Sequence, residues 1–141
     1  YFLLNGRGYP NTVVQSAMST VNDIGRSVES QPVSSFIEAN QGEQILLRIS
    51  NLNVTQFNTL GTNGIPMKVI ALDARLLRDD DGNNMYYETT SLTLGGGMSA
   101  DVLIDTSGLT GKTFFLYSKN LDRLANNAEN FGGAMTEINI L

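Results

Sequence analysis

Side chains that ligate soft metals or act as a neutral-pH base are missing from this sequence. Its 141 residues include no His and no Cys. That closes off thiolate and imidazole metal sites, disulfides and the His-based nucleophilic triads. Some polar groupings remain. Asp79-Asp80-Asp81-Gly82-Asn83-Asn84, with Glu88 beyond, sets carboxylate and amide oxygens close together, as a Ca²⁺ loop does. Gly82 stands fourth rather than sixth in that run, so the EF-hand spacing is missed. Acidic Asp-Gly-Asn runs also make hairpin tips, so a solvated turn is expected, with a weak cation site over 79–88 as the competing reading. Gly95-Gly96-Gly97 precedes a strand pattern and has no Lys in P-loop spacing, which makes it a turn and not a phosphate cradle. Ser118 and Lys119 put a nucleophile beside an amine, but adjacent strand residues point to opposite faces. Asn53-Val54-Thr55 is a glycosylation sequon, of consequence only in a glycosylating secretory route. Nothing in the pattern singles out a carboxylate pair for glycoside chemistry.

The whole chain frames those groups in a globular composition. Apolar residues make up 41% of it, and 14 glycines lie among them. A chain of this length fits one domain and buries about 70% of its unfolded surface. The net charge is −5, from 9 basic and 14 acidic residues, without any basic run. Nucleic-acid binding needs clustered cations to displace counterions, so no nucleic-acid partner is expected. No apolar run approaches the ~20 residues of a spanning helix, so no membrane span is expected either. The chain opens at Tyr1 within an apolar stretch and without Met. The reading is a single domain over 1–141, cut from a longer multi-domain chain.

Short strand patterns separated by turn residues run through the chain. Phe2 to Asn5 reads as a strand ahead of Gly6, Gly8 and Pro10. Ser34 to Glu38 precedes a turn at Asn40-Gln41-Gly42. In Gln44 to Asn51, Ile45, Leu47 and Ile49 share one face at period two. Met67 to Leu72 and Ser91 to Leu94 follow. Met98, Ala100, Val102 and Ile104 then alternate with polar residues, the signature of a half-buried strand. Lys112 to Tyr117 is apolar on both faces and belongs in the middle of a sheet, with the strips Phe114/Leu116 and Phe115/Tyr117 both read as core. Met135 to Leu141 closes the chain. Leu121, Leu124, Ala125 and Ala128 fall at helical spacing behind Asn120 as N-cap, predicting one short helix near 120–128. Asn11 to Val33 is polar and reads as a long excursion with one strand at most. The class is all-β, a sandwich or barrel.

Five segments in order resemble a cupredoxin domain of a multicopper oxidase. FLLNGRGYPNT (residues 2–12) is similar to an opening strand that ends in Asn-Gly-Arg before a Pro. SQPVSSFIEANQGEQILLRISNL (residues 30–52) resembles the pair in which Gly-Glu precedes an Arg-bearing strand. GIPMKVIALDARLLRD (residues 64–79) resembles the strand after the family's His-rich motif. TLGGGMSADVLIDTSGLTGKTFFLYS (residues 93–118) and NFGGAMTEINIL (residues 130–141) match the strands around the last ligand loop. The resemblance implies a cupredoxin-like Greek-key β-sandwich of about seven to nine strands.

The departures fall on the copper ligands. The family's His-x-x-His-x-His-Gly register gives Asn58, Gly61 and Asn63, then Gly64. The stretch after the penultimate strand, Tyr117 to Asn130, lacks the Cys and His expected there. Only Met135 stands near the axial-ligand position, and a lone thioether holds no copper. Met135 is expected in the core. The resemblance therefore implies a middle, spacer-type domain with no catalytic, cofactor or metal residues of its own. Its partners would be neighbouring cupredoxin domains. The parent would carry copper, reduce O₂ to water, and reside outside the cytoplasm. The alternative is a stand-alone extracellular structural or adhesive β-sandwich that has lost its metal.

Overall fold

The computed structural model describes all residues 1–141. Two sheets face each other, each made by short strands whose apolar residues recur at period two. The first sheet contains β4 (Gln44–Ser50), β6 (Met67–Leu72), β7 (Arg75–Leu76), β8 (Tyr87–Thr89) and β10 (Ser99–Asp105). Its order is β4-β10-β6, and β7 and β8 both pair with β6. The second contains β3 (Ile37–Ala39), β5 (Asn58–Thr62), β9 (Ser91–Leu94), β11 (Lys112–Ser118) and β12 (Met135–Ile140). Its order is β3-β12-β11-β5-β9, so β11 does lie in the middle of a sheet. A separate hairpin pairs β1 (Met18–Val21) with β2 (Ser27–Ser30). Every pairing is antiparallel except β3 with β12. The chain passes between the sheets at β3–β4, β4–β5, β5–β6, β8–β9, β9–β10 and β10–β11, which gives the sandwich its cupredoxin-like arrangement.

The core forms where inward residues of both sheets meet. Met67, Val69, Val102 and Ile104 come from the first sheet, and Leu116, Ile138 and Ile140 from the second. Full burial of such a side chain stabilises by about 1.5–3 kcal/mol. Along β10 the inward residues are Ala100, Val102 and Ile104, as the alternation predicted. Ile45, Leu47 and Ile49 of β4 share a face as expected, yet each is only half-buried. β4 stands at the end of its sheet with no strand beyond it.

Several elements differ from the sequence reading. The twelve strand segments exceed seven to nine because of the β1–β2 hairpin and the very short β7 and β8. Phe2 to Asn5 forms no strand. Asn5 and Gly6 both take positive φ, and the chain reverses so that Leu4 and Arg7 bond to each other. Near 120–128 there is one 3-10 turn, Leu121–Leu124, with the Asn120 side chain accepting from the Asp122 N–H as N-cap. Beyond it Ala125 is already extended. The polar excursion is organised by Arg7, which is only 1% exposed. Its guanidinium donates to the carbonyls of Asn11, Val14, Ser16 and Gln31. These bonds satisfy a buried charge that would otherwise cost several kcal/mol. No helix is long and apolar enough to cross a membrane.

Candidate functional site

β5 carries Asn58 and Gly61 of the expected ligand register, Asn63 follows the strand directly, and alternation separates them. Leu60 and Thr62 face inward, Thr62 bonding the Ile65 carbonyl. Asn58 shares their side, and its amide donates to Asn51 Oδ1 at 2.8 Å. Gly61, and Asn63 just past the strand, lie on the outer side. Asn63 Oδ1 accepts from the Phe115 N–H and closes the β5–β11 end. Two of the three positions therefore share a face, and the third opens on the other side of the sheet.

The outer face around Gly61 is filled. Gly61 pairs with Tyr117 of β11. The Lys119 side chain lies across the glycine, so a Cβ at 61 would sit 2.1 Å from Lys119 Cε. Lys119 Nζ then donates to Tyr117 Oη at 3.2 Å and stands 5.1 Å from the centre of that ring. Next to this pair is a shallow apolar hollow of about 480 Å³ lined by Tyr9, Phe115, Tyr117, Phe131 and Met135. Met135 pairs with Tyr117 and is half-buried there, not in the core. Its phase on β12 explains this, because Thr136, Ile138 and Ile140 take the inward positions. Phe115 and Tyr117 likewise line this outer hollow and leave the core to Phe114 and Leu116. Tyr9 Oη donates to Glu137 Oε1 at 2.8 Å. That bond, with burial and the nearby carboxylate charge, pushes the Tyr9 phenol above its usual range.

These residues do not fit a copper centre. Gly61 offers no ligand atom, Asn63 spends its amide oxygen on the Phe115 N–H, and the thioether of Met135 has no imidazole or thiolate beside it. Lys119 adds a cation where a second one would be repelled. Sequence reasoning weighed Lys119 only as an amine beside Ser118 and missed its place over Gly61 and Tyr117; the one signal was a glycine facing an aromatic across a strand pair, legible only once the register is known.

The acidic run folds as a hairpin tip. Asp79 Oδ1 accepts from the N–H groups of Asp81 (3.1 Å) and Asn83 (2.7 Å), and Oδ2 accepts from Asn83 Nδ2 at 2.9 Å. The bonds from Asn83 hold the Asp79 carboxyl below its usual range. That carboxylate is used within its own turn, and no three acidic groups converge on a common point. Ser118 is buried and bonds the Asn120 carbonyl, while Lys119 is exposed, so the two stand apart as the alternation requires.

The multicopper oxidase family model matches residues 2–137. No curated protein matches the sequence. Among solved structures, the blue copper oxidase from Nitrosomonas europaea superposes with a TM-score of 0.65 at 18% identity, covering 81% of this chain and 34% of that one. The multicopper oxidase mgLAC gives 0.64 at 16% identity, covering 74% and 30%. A laccase from Botrytis aclada gives 0.55 at 18% identity, covering 74% and 18%. At these identities the likeness concerns the fold. The chain spans about a third or less of each of these proteins.

Proposed function

This chain belongs to the multicopper oxidase family, and we propose that it is a copper-free cupredoxin domain that positions copper-bearing neighbours and performs no electron transfer itself. The observation that carries this reading is the outer face of β5. Where the family register calls for imidazoles, Gly61 lies under the Lys119 side chain and Asn63 is bonded to β11. The face is built as a packed surface and supplies no ligand set. In this reading the parent protein holds the copper, oxidises its substrate, reduces O₂ to water and works outside the cytoplasm.

Copper loading followed by desalting and metal analysis tests the proposal. The expected result is less than a stoichiometric amount of copper, no intense visible thiolate-to-copper band, and no oxidation of phenols or ferrous ion above a buffer control. One tightly held copper per chain, or turnover that survives chelation and repurification, overturns it.

A further inference from the structure

The outer face of the second sheet gathers aromatic rings that the sandwich core does not use. Five Tyr and six Phe are all the aromatic residues of the chain. Four of these, Tyr9, Phe115, Tyr117 and Phe131, line the hollow of about 480 Å³ beside Met135. That volume falls within the ~300–1,000 Å³ of small-ligand sites. Phe131 is the most telling of the four. Its ring is 62% exposed, and its backbone sits at φ 60°, a left-handed conformation that a bulky residue rarely takes. The two residues after it are fixed in place. The Gly132 N–H donates to the Glu129 carbonyl and the Gly133 N–H to the Leu124 carbonyl. A Cβ at Gly133 would meet the Arg123 carbonyl oxygen at 2.1 Å, so the path of the chain cannot relax there. A glycine at 131 would take this φ without strain. The fold instead holds an exposed ring beside the hollow in a strained backbone, a feature that clusters at ligand sites.

We propose that this hollow binds a pyranose unit of a neutral oligosaccharide with all-equatorial ring substituents, as in the β-linked glucose of cellotetraose. No charged residue lines the hollow, and one charge of each sign borders it, Lys119 at Tyr117 and Glu137 at Tyr9. An anion would be repelled by Glu137 and a cation by Lys119, which favours a neutral ligand. The border also mixes donors and acceptors with capacity left over. Asn63 Oδ1 takes the Phe115 N–H, which leaves the amide NH₂ to donate. Glu137 pairs with Phe115 across β11 and β12 and accepts from Tyr9 through Oε1, which leaves Oε2 to accept. Lys119 Nζ uses one of its protons on Tyr117 Oη and keeps the others. Rings, donors and an acceptor together match a flat hydroxylated ring. The axial C–H bonds on such a pyranose face are weakly positive and stack on the negative face of an aromatic ring. Its equatorial hydroxyls then point outward to the border. A purely apolar ligand would cover those polar groups and leave them unpaired. This site is independent of whether the domain is a spacer.

Two-dimensional NMR titration of the chain with cellotetraose tests it, with benzyl alcohol and tetramethylammonium as comparison probes. Cellotetraose should bind one to one with a dissociation constant of about 1 mM or tighter, and the other two about tenfold or more weakly. It should shift the amide signals of Asn63, Phe115, Tyr117 and Phe131, and its axial hydrogens should give through-space contacts to the Phe115 or Phe131 ring. Phe131→Gly should weaken cellotetraose binding by about tenfold or more and leave the thermal midpoint unchanged or higher, because the left-handed backbone suits glycine. Lys119→Met removes a donor and should weaken binding severalfold. Phe57→Ala removes an exposed ring that lies outside the hollow and should leave binding unchanged. Should a variant fail to fold, the ring contacts on the unaltered protein decide. Absence of cellotetraose binding, tighter binding of benzyl alcohol or tetramethylammonium, or unaltered affinity in Phe131→Gly overturns the proposal. Shifts of the same amides that grow with protein concentration alone also overturn it, in favour of a second copy.

Discussion

β11 sends Phe114 and Leu116 into the sandwich and Phe115 and Tyr117 out of it. Its neighbour β12 does the same, with Ile138 and Ile140 inward and Met135 and Glu137 outward. The two faces of this sheet are similarly apolar along β11, yet one is closed by the opposing sheet and the other by scattered side chains. The inner face is finished by Val69, Val102 and Ile104 from across the sandwich. The outer face is finished by Lys119 over Tyr117, by the Tyr9–Glu137 bond and by the exposed ring of Phe131. Burial is thus decided by what lies opposite a residue, and residue type alone does not assign the face. The difference also separates two kinds of work. The inner face carries the stability, and the outer face carries Gly61, Asn63 and Met135, three of the four positions that the resemblance assigns to ligands.

The largest expected effect comes from placing a carboxylate on the inner face. Ile138 is 0% exposed, and Ile138→Asp buries an unpaired charge at a cost comparable to the ~5–15 kcal/mol total stability of a domain. The variant should not fold, as read by circular dichroism and thermal unfolding. One residue away on the outer face, Glu137 is a native carboxylate with Tyr9 as its partner. A near-normal melt for Ile138→Asp would show that the two faces are not energetically distinct.

Paired truncations sharpen the same contrast. Phe114→Ala should cost ~3–5 kcal/mol through the cavity it opens in the core. Phe115→Ala, on the half-buried outer side, should cost about 1 kcal/mol. Denaturant titrations of both variants measure the difference directly. Equal losses would mean that the outer hollow is packed as tightly as the core.

Much of this was legible in the sequence where one physical signal acted alone. The alternation from Met98 to Ile104 located β10 and its inward residues, and the two-sided apolarity of Lys112 to Tyr117 placed β11 in mid-sheet. The absence of His and Cys was read directly from the composition. Other features depended on distant partners. The helical spacing of Leu121 to Ala128 yielded one 3-10 turn because Asn126 is claimed from elsewhere. Its side chain bonds the Phe2 backbone on both sides and the Gly132 carbonyl, drawing the segment out of helix. Phe2 to Asn5 is apolar enough for a strand, but the positive φ of Asn5 and Gly6 folds it back instead. The half-burial of Ile45, Leu47 and Ile49 was invisible because alternation reports a face and not whether that face is covered.

Gly61 tests the outer face at its most specific point. Gly61→Ala puts a methyl group where Lys119 now lies, so the lysine must leave the Tyr117 ring. An exposed cation–π contact contributes ~0.5–1 kcal/mol, and the variant should lose about that much. In a Lys119→Ala background the same methyl group should be nearly free of cost. A double-mutant cycle therefore gives a coupling close to the single-site loss. Additive losses would place Lys119 elsewhere in solution and reopen the face to a ligand-bearing side chain.

An effect of similar small size concerns Met135. A fully buried Met→Ala change costs ~2–5 kcal/mol, but this side chain is half-buried beside Tyr117 on the outer face. Met135→Ala should therefore cost only about 1 kcal/mol. Met135→Leu, which nearly conserves volume, should lie well within the ~1.5 kcal/mol usual for such swaps. Thermal unfolding of both variants checks the magnitudes, and copper titration of Met135→Leu checks the chemistry. The thioether has no imidazole or thiolate beside it, so replacing it by an isobutyl group should leave weak, non-stoichiometric copper association unchanged. A Met135→Leu variant that kept its stability and lost a measurable copper affinity would make the sulfur functional. The outer face would then be a metal surface, and the division of labour between the two faces would have to be abandoned.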